Sequence, residues 1–100
     1  MTLKAFAPGA DADTAKLSAT TTSAAVAINV FGNATRVVNL GPNDARIKFG
    51  KASPGTTATS TSMLVLAGTV EVFTKGASDQ VAAICDTGTA SLEFYVGEGQ

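Results

Sequence analysis

Glycine, proline or asparagine interrupts this chain roughly every ten residues, and between the interruptions apolar and polar residues alternate. That rhythm admits short strands joined by turns and little else. A period of two puts successive side chains on opposite faces of a strand, and no window sustains the 3.6-residue apolar period of a helix. Thr and Val are frequent, and β-branched residues favour a pleated, half-buried backbone. The pattern therefore predicts an all-β fold, a single antiparallel β-sandwich of seven or eight short strands, jelly-roll or immunoglobulin-like.

Particular segments carry this reading. Val26, Ile28 and Val30 share one face, with Ala25, Ala27 and Asn29 opposite. Gly32-Asn33 supplies a hairpin turn, and Thr35 to Leu40 returns. Gly41-Pro42-Asn43-Asp44 bends the chain, because Pro fixes φ and Asn or Asp caps the bend. Ala45, Ile47 and Phe49 then alternate with Arg46 and Lys48. Residues 50–62 form a polar loop, and Met63 to Leu66 is a short apolar run. In the strand from Thr69 to Thr74, Val70 and Val72 oppose Glu71 and Phe73. Val81, Ala83 and Cys85 make one face of the next strand, and Asp86-Thr87-Gly88 is a hairpin turn into the last. There Ala90, Leu92, Phe94 and Val96 point inward, with Ser91, Glu93 and Tyr95 outward.

Residues 1–23 read differently. Thr2 to Ala7 has the makings of a strand that stops at Pro8-Gly9, and Asp13 to Leu17 admits a helical turn. The run of Ala, Asp, Thr and Ser up to Ser23 is expected to be an extended arm. The division is thus an N-terminal arm, 1–23, and a β-sandwich domain, 24–100. The core of that domain is thin. Apolar residues make up 45% of the chain, but many are alanine, with five Phe, one Tyr and no Trp. Alanine burial contributes much less than the roughly 1.5–3 kcal/mol of a buried Val, Leu, Ile or Phe. Association with copies of itself, or docking as a subunit on other chains, is therefore expected.

Composition excludes several function classes. The formal charge is −1 and the pI about 5.1, so no basic footprint for nucleic acid is present. No stretch approaches the roughly 18–20 apolar residues of a membrane helix. Met1 to Ala12 lacks the apolar segment of a secretory leader, so synthesis in a cytoplasm is expected. The single cysteine, Cys85, cannot close an intrachain disulfide. There is no histidine, which removes the commonest proton carrier near neutral pH and the commonest metal ligand.

The remaining candidates for chemistry have plainer readings. Asp11 and Asp13 are spaced like calcium ligands, without the Gly and Glu that such a loop requires. Asp44, Glu71 and Glu93 offer carboxylates, two on outward strand faces and one in a turn, where solubility accounts for them. Cys85 shares a face with Val81 and Ala83 and has no basic neighbour in sequence, which fits a buried, inert thiol. The glycines follow no phosphate-loop order. No catalytic residue, cofactor or metal is expected. The facing of Phe31, Phe73 and Tyr95 stays open, since exposed aromatics serve subunit contacts or sugar platforms, and a second packed face would also place them.

Four stretches together resemble small structural proteins of tailed bacteriophages. They are 36–50, with its Asn39-Leu40-Gly41-Pro42 turn and Phe49-Gly50 strand end; the Thr/Ser loop; 63–73, with Leu66-Ala67-Gly68 ahead of Glu71; and the ending Leu92-Glu93-Phe94-Tyr95-Val96-Gly97-Glu98-Gly99. The resemblance covers residues 26–99. It implies a non-enzymatic virion protein of the capsid decoration (cement) type, seated on the outer capsid surface as a homotrimer and bridging capsomers. Its partners would be the major capsid protein and its own copies, and a neck or tail component fits the same features. The segments expected to touch neighbours are the arm before Ser23 and the loop 50–62. The side chains singled out for subunit or capsid contact are Leu3, Phe6, Leu17, Phe73, Tyr95, Arg46 and Lys48. A carbohydrate- or receptor-binding sandwich is the competing class, and the lack of Trp weighs against it.

Overall fold

The computed structural model describes residues 7–9 and 14–98. Leu3, Phe6, Asp11 and Asp13 lie outside them. Nine strands are present among the described residues: β1 (Ala7–Pro8), β2 (Thr14–Ala19), β3 (Ala24–Ala27), β4 (Ala34–Pro42), β5 (Ala45–Gly50), β6 (Met63–Val65), β7 (Val70–Thr74), β8 (Gln80–Ile84) and β9 (Ala90–Glu98). No described residue is helical. One sheet runs β1-β9-β4-β7 with β2 also on β9, and the other runs β3-β8-β5-β6. β1 and β2 lie end to end along the same strand, opposite Gly97–Glu98 and Ala90–Tyr95 respectively. Counted as one edge, they make each sheet four strands wide.

Every ladder is antiparallel, and the pairings nest. β2 pairs with β9, β3 with β8, β4 with β7, and β5 with β6. Two further ladders, β4–β9 and β5–β8, close the roll. This is the topology of a jelly roll, a long hairpin of eight strands wrapped into two sheets. Of the two sandwich types open from the sequence, the strand order selects this one.

Wrapping changes the meaning of most turns. Gly32-Asn33 and Asp86-Thr87-Gly88 were expected to close hairpins, yet β3 and β4 lie in different sheets, as do β8 and β9. These segments are arches that carry the chain from one sheet to the other. The turn chemistry is as expected, with Gly32 at φ 79° and Gly88 at φ 69°. Turn residues fix where a chain bends; they do not choose the strand it pairs with next. Among consecutive strands only β5 and β6 pair with each other.

The inner faces follow the alternation. Ala90, Leu92, Phe94 and Val96 of β9, Ala45 and Ile47 of β5, and Val81, Ala83 and Cys85 are buried in one core with Val37, Val65 and Ile28. Part of the expected arm belongs to it. Residues 14–19 form an edge strand in register with β9, with Leu17 opposite Leu92, and Ala19, opposite Ala90, fully buried. Two of the three inward residues there are Ala, so the alternation Ala15, Leu17, Ala19 against Lys16, Ser18 is faint in hydropathy. Of the helical turn considered at Asp13–Leu17, the described residues Thr14–Leu17 belong to this strand, and Asp13 lies outside the described residues.

Residues 51–62 are tied to their own sheet. Ala52 N donates to Asp79 Oδ1 at 2.8 Å, Thr56 N to Gln80 Oε1 at 2.8 Å, and Ala58 N to Ser23 Oγ at 2.9 Å. The loop thus crosses the outer face of the second sheet. This explains why Ala82, at an outward position between Ala25 and Lys48, is fully buried.

Candidate interaction surface

The described residues among those singled out from the sequence do not converge. Arg46 and Lys48 sit on the outer face of the β3-β8-β5-β6 sheet and Tyr95 on the outer face of the other. Arg46 is occupied internally. Its Nε and Nη2 donate to the Asp86 carboxylate at 3.2–3.3 Å, and its Nη1 to Ser62 O at 3.1 Å. Lys48 is exposed. Leu17 packs partly buried against the core.

The facing of Phe73 and Tyr95, open from the sequence, differs between the two. Phe73 packs partly buried against the core, its ring 6.2 Å from that of Phe49. Val70 and Val72 therefore face outward. Tyr95 does face out, but its phenol donates to Glu93 Oε1 and Arg36 Cζ stands 5.6 Å from the ring centroid. The bond to Glu93, with desolvation and the Glu93 charge adding and Arg36 opposing, raises the Tyr95 phenol above its usual value. Lys16 Nζ lies 3.9 Å from the other Glu93 oxygen.

Chemistry-bearing groups are similarly committed. Among the described residues no three of His, Cys, Asp and Glu gather. Asp44 Oδ1 accepts from Ala67 N at 2.8 Å, and Asp86 is held by Arg46. Cys85 is buried, its Sγ 3.8 Å from Ala19 O. Burial foremost, then the charges of Asp86 and Asp44, pushes its thiol up. Two open depressions of about 330 Å³ each lie on the surface. One is bounded by Lys16, Leu40 and Glu93, the other by Asn43, Leu64 and Asp86.

What the surface offers is apolar contact. Met63, Leu64, Leu66, Val70 and Val72 are 41–50% exposed, all from β6, β7 and the turn joining them. These two strands are the outer strands of the two sheets, so the residues lie along one flank. Leu40 adds to them, 61% exposed, where the β4–β9 register shifts between Asn39 and Pro42. The side chain of Asn39 shapes that irregularity. Its Oδ1 accepts from Gly41 N at 2.8 Å, and its Nδ2 donates to Asn43 O at 3.1 Å and to Val65 O at 3.0 Å. The Asn-x-Gly-Pro spacing is thus an Asx turn whose amide also bridges to β6. The flank went unnoticed in sequence because alternation does not say which parity is inward on an outer strand. The available signal was the unbroken run Met63-Leu64-Val65-Leu66, which must expose apolar side chains on one face of a short strand.

A second apolar point is the arch between β3 and β4. Phe31 is 79% exposed there, and its amide donates to Asn29 Oδ1 at 2.8 Å. Lys75, only 5% exposed, reaches under the arch and donates to Val30 O at 3.3 Å and to Gly76 O and Ser78 O at 3.2 Å. Burial, with the charge of Lys51, lowers the pKa of this amine, while Glu98 and Asp79 oppose the shift. Gly32 fixes the arch from the other side: a Cβ there would stand 2.5 Å from Gly97 O. The arch is a clamped platform for one large aromatic side chain.

The chain matches no protein-family model, no curated protein and no solved structure.

Proposed function

We propose that this protein is a non-enzymatic virion component, a decoration protein that binds the outer surface of a tailed-phage capsid and stabilises the head against the pressure of its packaged DNA. The observation that carries the reading is the Phe31 arch, where the most exposed large apolar side chain among the described residues projects from a backbone that Lys75 bonds at Val30 O and that Gly32 packs closely against Gly97. A rigid aromatic anchor loses little entropy on docking, and such residues dominate interface energetics. The likeness of residues 26–99 to phage structural proteins supports the same role. So does the jelly-roll topology, which viral capsid proteins use among others. Binding across capsomer boundaries would stabilise the shell by mass action on its assembled state.

A neck or tail position is the neighbouring reading. A carbohydrate-binding role is less well supported, because the Tyr95 ring is covered by Arg36 and its hydroxyl is engaged by Glu93. Purified protein mixed with heads of the encoding phage that lack it should pellet with them to a saturable ratio and raise their resistance to heat. Phe31→Ser should weaken that binding at least tenfold while leaving the fold intact. Recovery of the protein in tails alone, or binding on a glycan array with none to heads, would overturn the reading.

A further inference from the structure

We infer that the free edge of β7 pairs with the same edge of a second copy, in an antiparallel register centred on Val72. Among the described residues nothing pairs with this edge. Which of its backbone groups are free follows from the ladder to β4. Asn39 N bonds to Thr69 O at 3.0 Å and Lys75 N to Asn33 O at 2.8 Å, and between them Val38 to Ala34 pair with Val70 to Thr74. Antiparallel bonding alternates every second residue. Residues 69, 71, 73 and 75 therefore face β4, and Val70, Val72 and Thr74 turn N–H and C=O outward.

A two-fold axis at Val72 uses all of these groups. Val72 then faces Val72 of the second copy, and Val70 faces Thr74 of the second copy at both ends, giving about six backbone hydrogen bonds. Moving the axis to Glu71 or Phe73 leaves only about four. The Glu71-centred register also sets the two carboxylates directly opposite one another, which is unfavourable. Centred on Val72, each Glu71 faces Phe73 of the second copy, and no like charges oppose.

The other sheet edges suit this less. β6 has three residues, β3 presents mostly alanine, and the β2 edge carries the exposed Lys16, a common block to edge pairing. The same axis brings the β6 edges together in the second layer, where Met63, Leu64 and Leu66 add apolar contact. One strand edge with five partly exposed apolar side chains is a small contact beside the about 800 Å² per partner of stable complexes. The pairing is therefore reversible and concentration-dependent. It is two-fold, so it stands in place of the trimer that the family resemblance implies. It also holds whether or not the protein decorates capsids.

Sedimentation velocity across a concentration series should show mass rising from one chain to two, and Val72→Lys should raise the dissociation constant at least tenfold. Val72→Cys supplies a second measurement, because the two Cα atoms of such a pair lie about 5.5 Å apart, within disulfide range. Mild oxidation by diamide should cross-link Val72→Cys into dimers and leave both Val70→Cys and the parent, whose Cys85 is buried, as monomers. A parent that stays monomeric to about 1 mM, a stable trimer, association unchanged by Val72→Lys, or equal cross-linking of Val70→Cys would each overturn the inference.

Discussion

The two flanks of the sandwich are both made of outer strands, yet they end the sheets in different ways. On the flank of β2 and β3 the inward side chains Ala15, Leu17, Ala19 and Val26 pack into the core, and the strands are stitched to it. Cys85 N reaches Thr20 O at 2.8 Å, and Ser23 Oγ accepts from the strap residue Ala58. On the flank of β6 and β7 the strands carry large aliphatic side chains, and five of these remain exposed. The first flank uses its residues for folding, whereas the second leaves apolar surface available for contact. Hydrophobicity and burial therefore run in opposite directions across the molecule: Ala19 is fully buried and Leu66 is half exposed.

The same substitution on each flank tests this contrast at its largest. Ala19→Lys places an amine where no solvent reaches, opposite Ala90, and should cost more than about 4 kcal/mol, enough to leave the chain largely unfolded. Val72→Lys, measured at low concentration where the chain is monomeric, should stay within about 0.5 kcal/mol of the parent. Urea unfolding followed by circular dichroism reads both. Comparable losses at the two positions would mean that the β7 flank is part of the core, and the contrast would fail.

Asn39 sharpens the comparison, since its side chain is what joins the two sheets on the exposed flank. Asn39→Ala removes one acceptor and two donor contacts from a fully buried position and leaves Gly41 N and Val65 O without them. The expected loss is about 3 kcal/mol. Amide exchange should also quicken at β6 and β7 before β2 and β3. Uniform acceleration would show that the flanks unfold as one unit.

How much of this was legible beforehand differs between elements for physical reasons. The inward face of β9 was plain, because Leu92, Phe94 and Val96 alternate with Ser91, Glu93 and Tyr95. β2 was hidden, because an inward alanine carries almost no hydropathic contrast with the Thr and Ser around it. On β7 Glu71 was read as outward and the facing of Phe73 stayed open, since an outer strand can expose valine and carry both on the inner parity. Pairing was the least legible of all. Local turn chemistry located the arches, but the nested ladders join residues as distant as Ala7 and Glu98, and no local signal encodes that. Of the residues singled out for contact, Lys48 and Tyr95 lie on outer faces, while Leu40 and the exposed Met63–Val72 flank became visible only with the sheet order.

The closed flank also carries a pH dependence. Neutral Cys85 can donate toward Ala19 O, whereas the thiolate would be buried against that carbonyl and the charges of Asp86 and Asp44. Its folded pKa is raised, so the folded chain holds the proton more tightly than the unfolded chain does. Stability from this source is complete below the unfolded thiol value of about 8.5 and declines as pH rises through the folded one. Denaturation midpoints measured between about pH 8 and 10 should therefore fall more steeply for the parent than for Cys85→Ala. Parallel slopes would show that the thiol does not couple the β2–β3 crossing to β8.

The smallest expected effect has the opposite sign and belongs to the exposed flank. Thr35 is fully buried on the inner face of β4, between Phe73 and Val96, and its hydroxyl has no hydrogen-bond partner among the described residues. A buried hydroxyl without a partner retains its desolvation cost, and a methyl of similar shape does not. Thr35→Val should stabilise the fold by about 1 kcal/mol, read as a higher urea midpoint at constant m-value. Thr20→Val, on the opposite flank, removes an exposed hydroxyl that donates to Thr22 O and should change stability by no more than about 0.5 kcal/mol. A destabilised Thr35→Val would mean that the hydroxyl is bonded after all, and that β4 under β7 is as fully satisfied as the strands of the closed side.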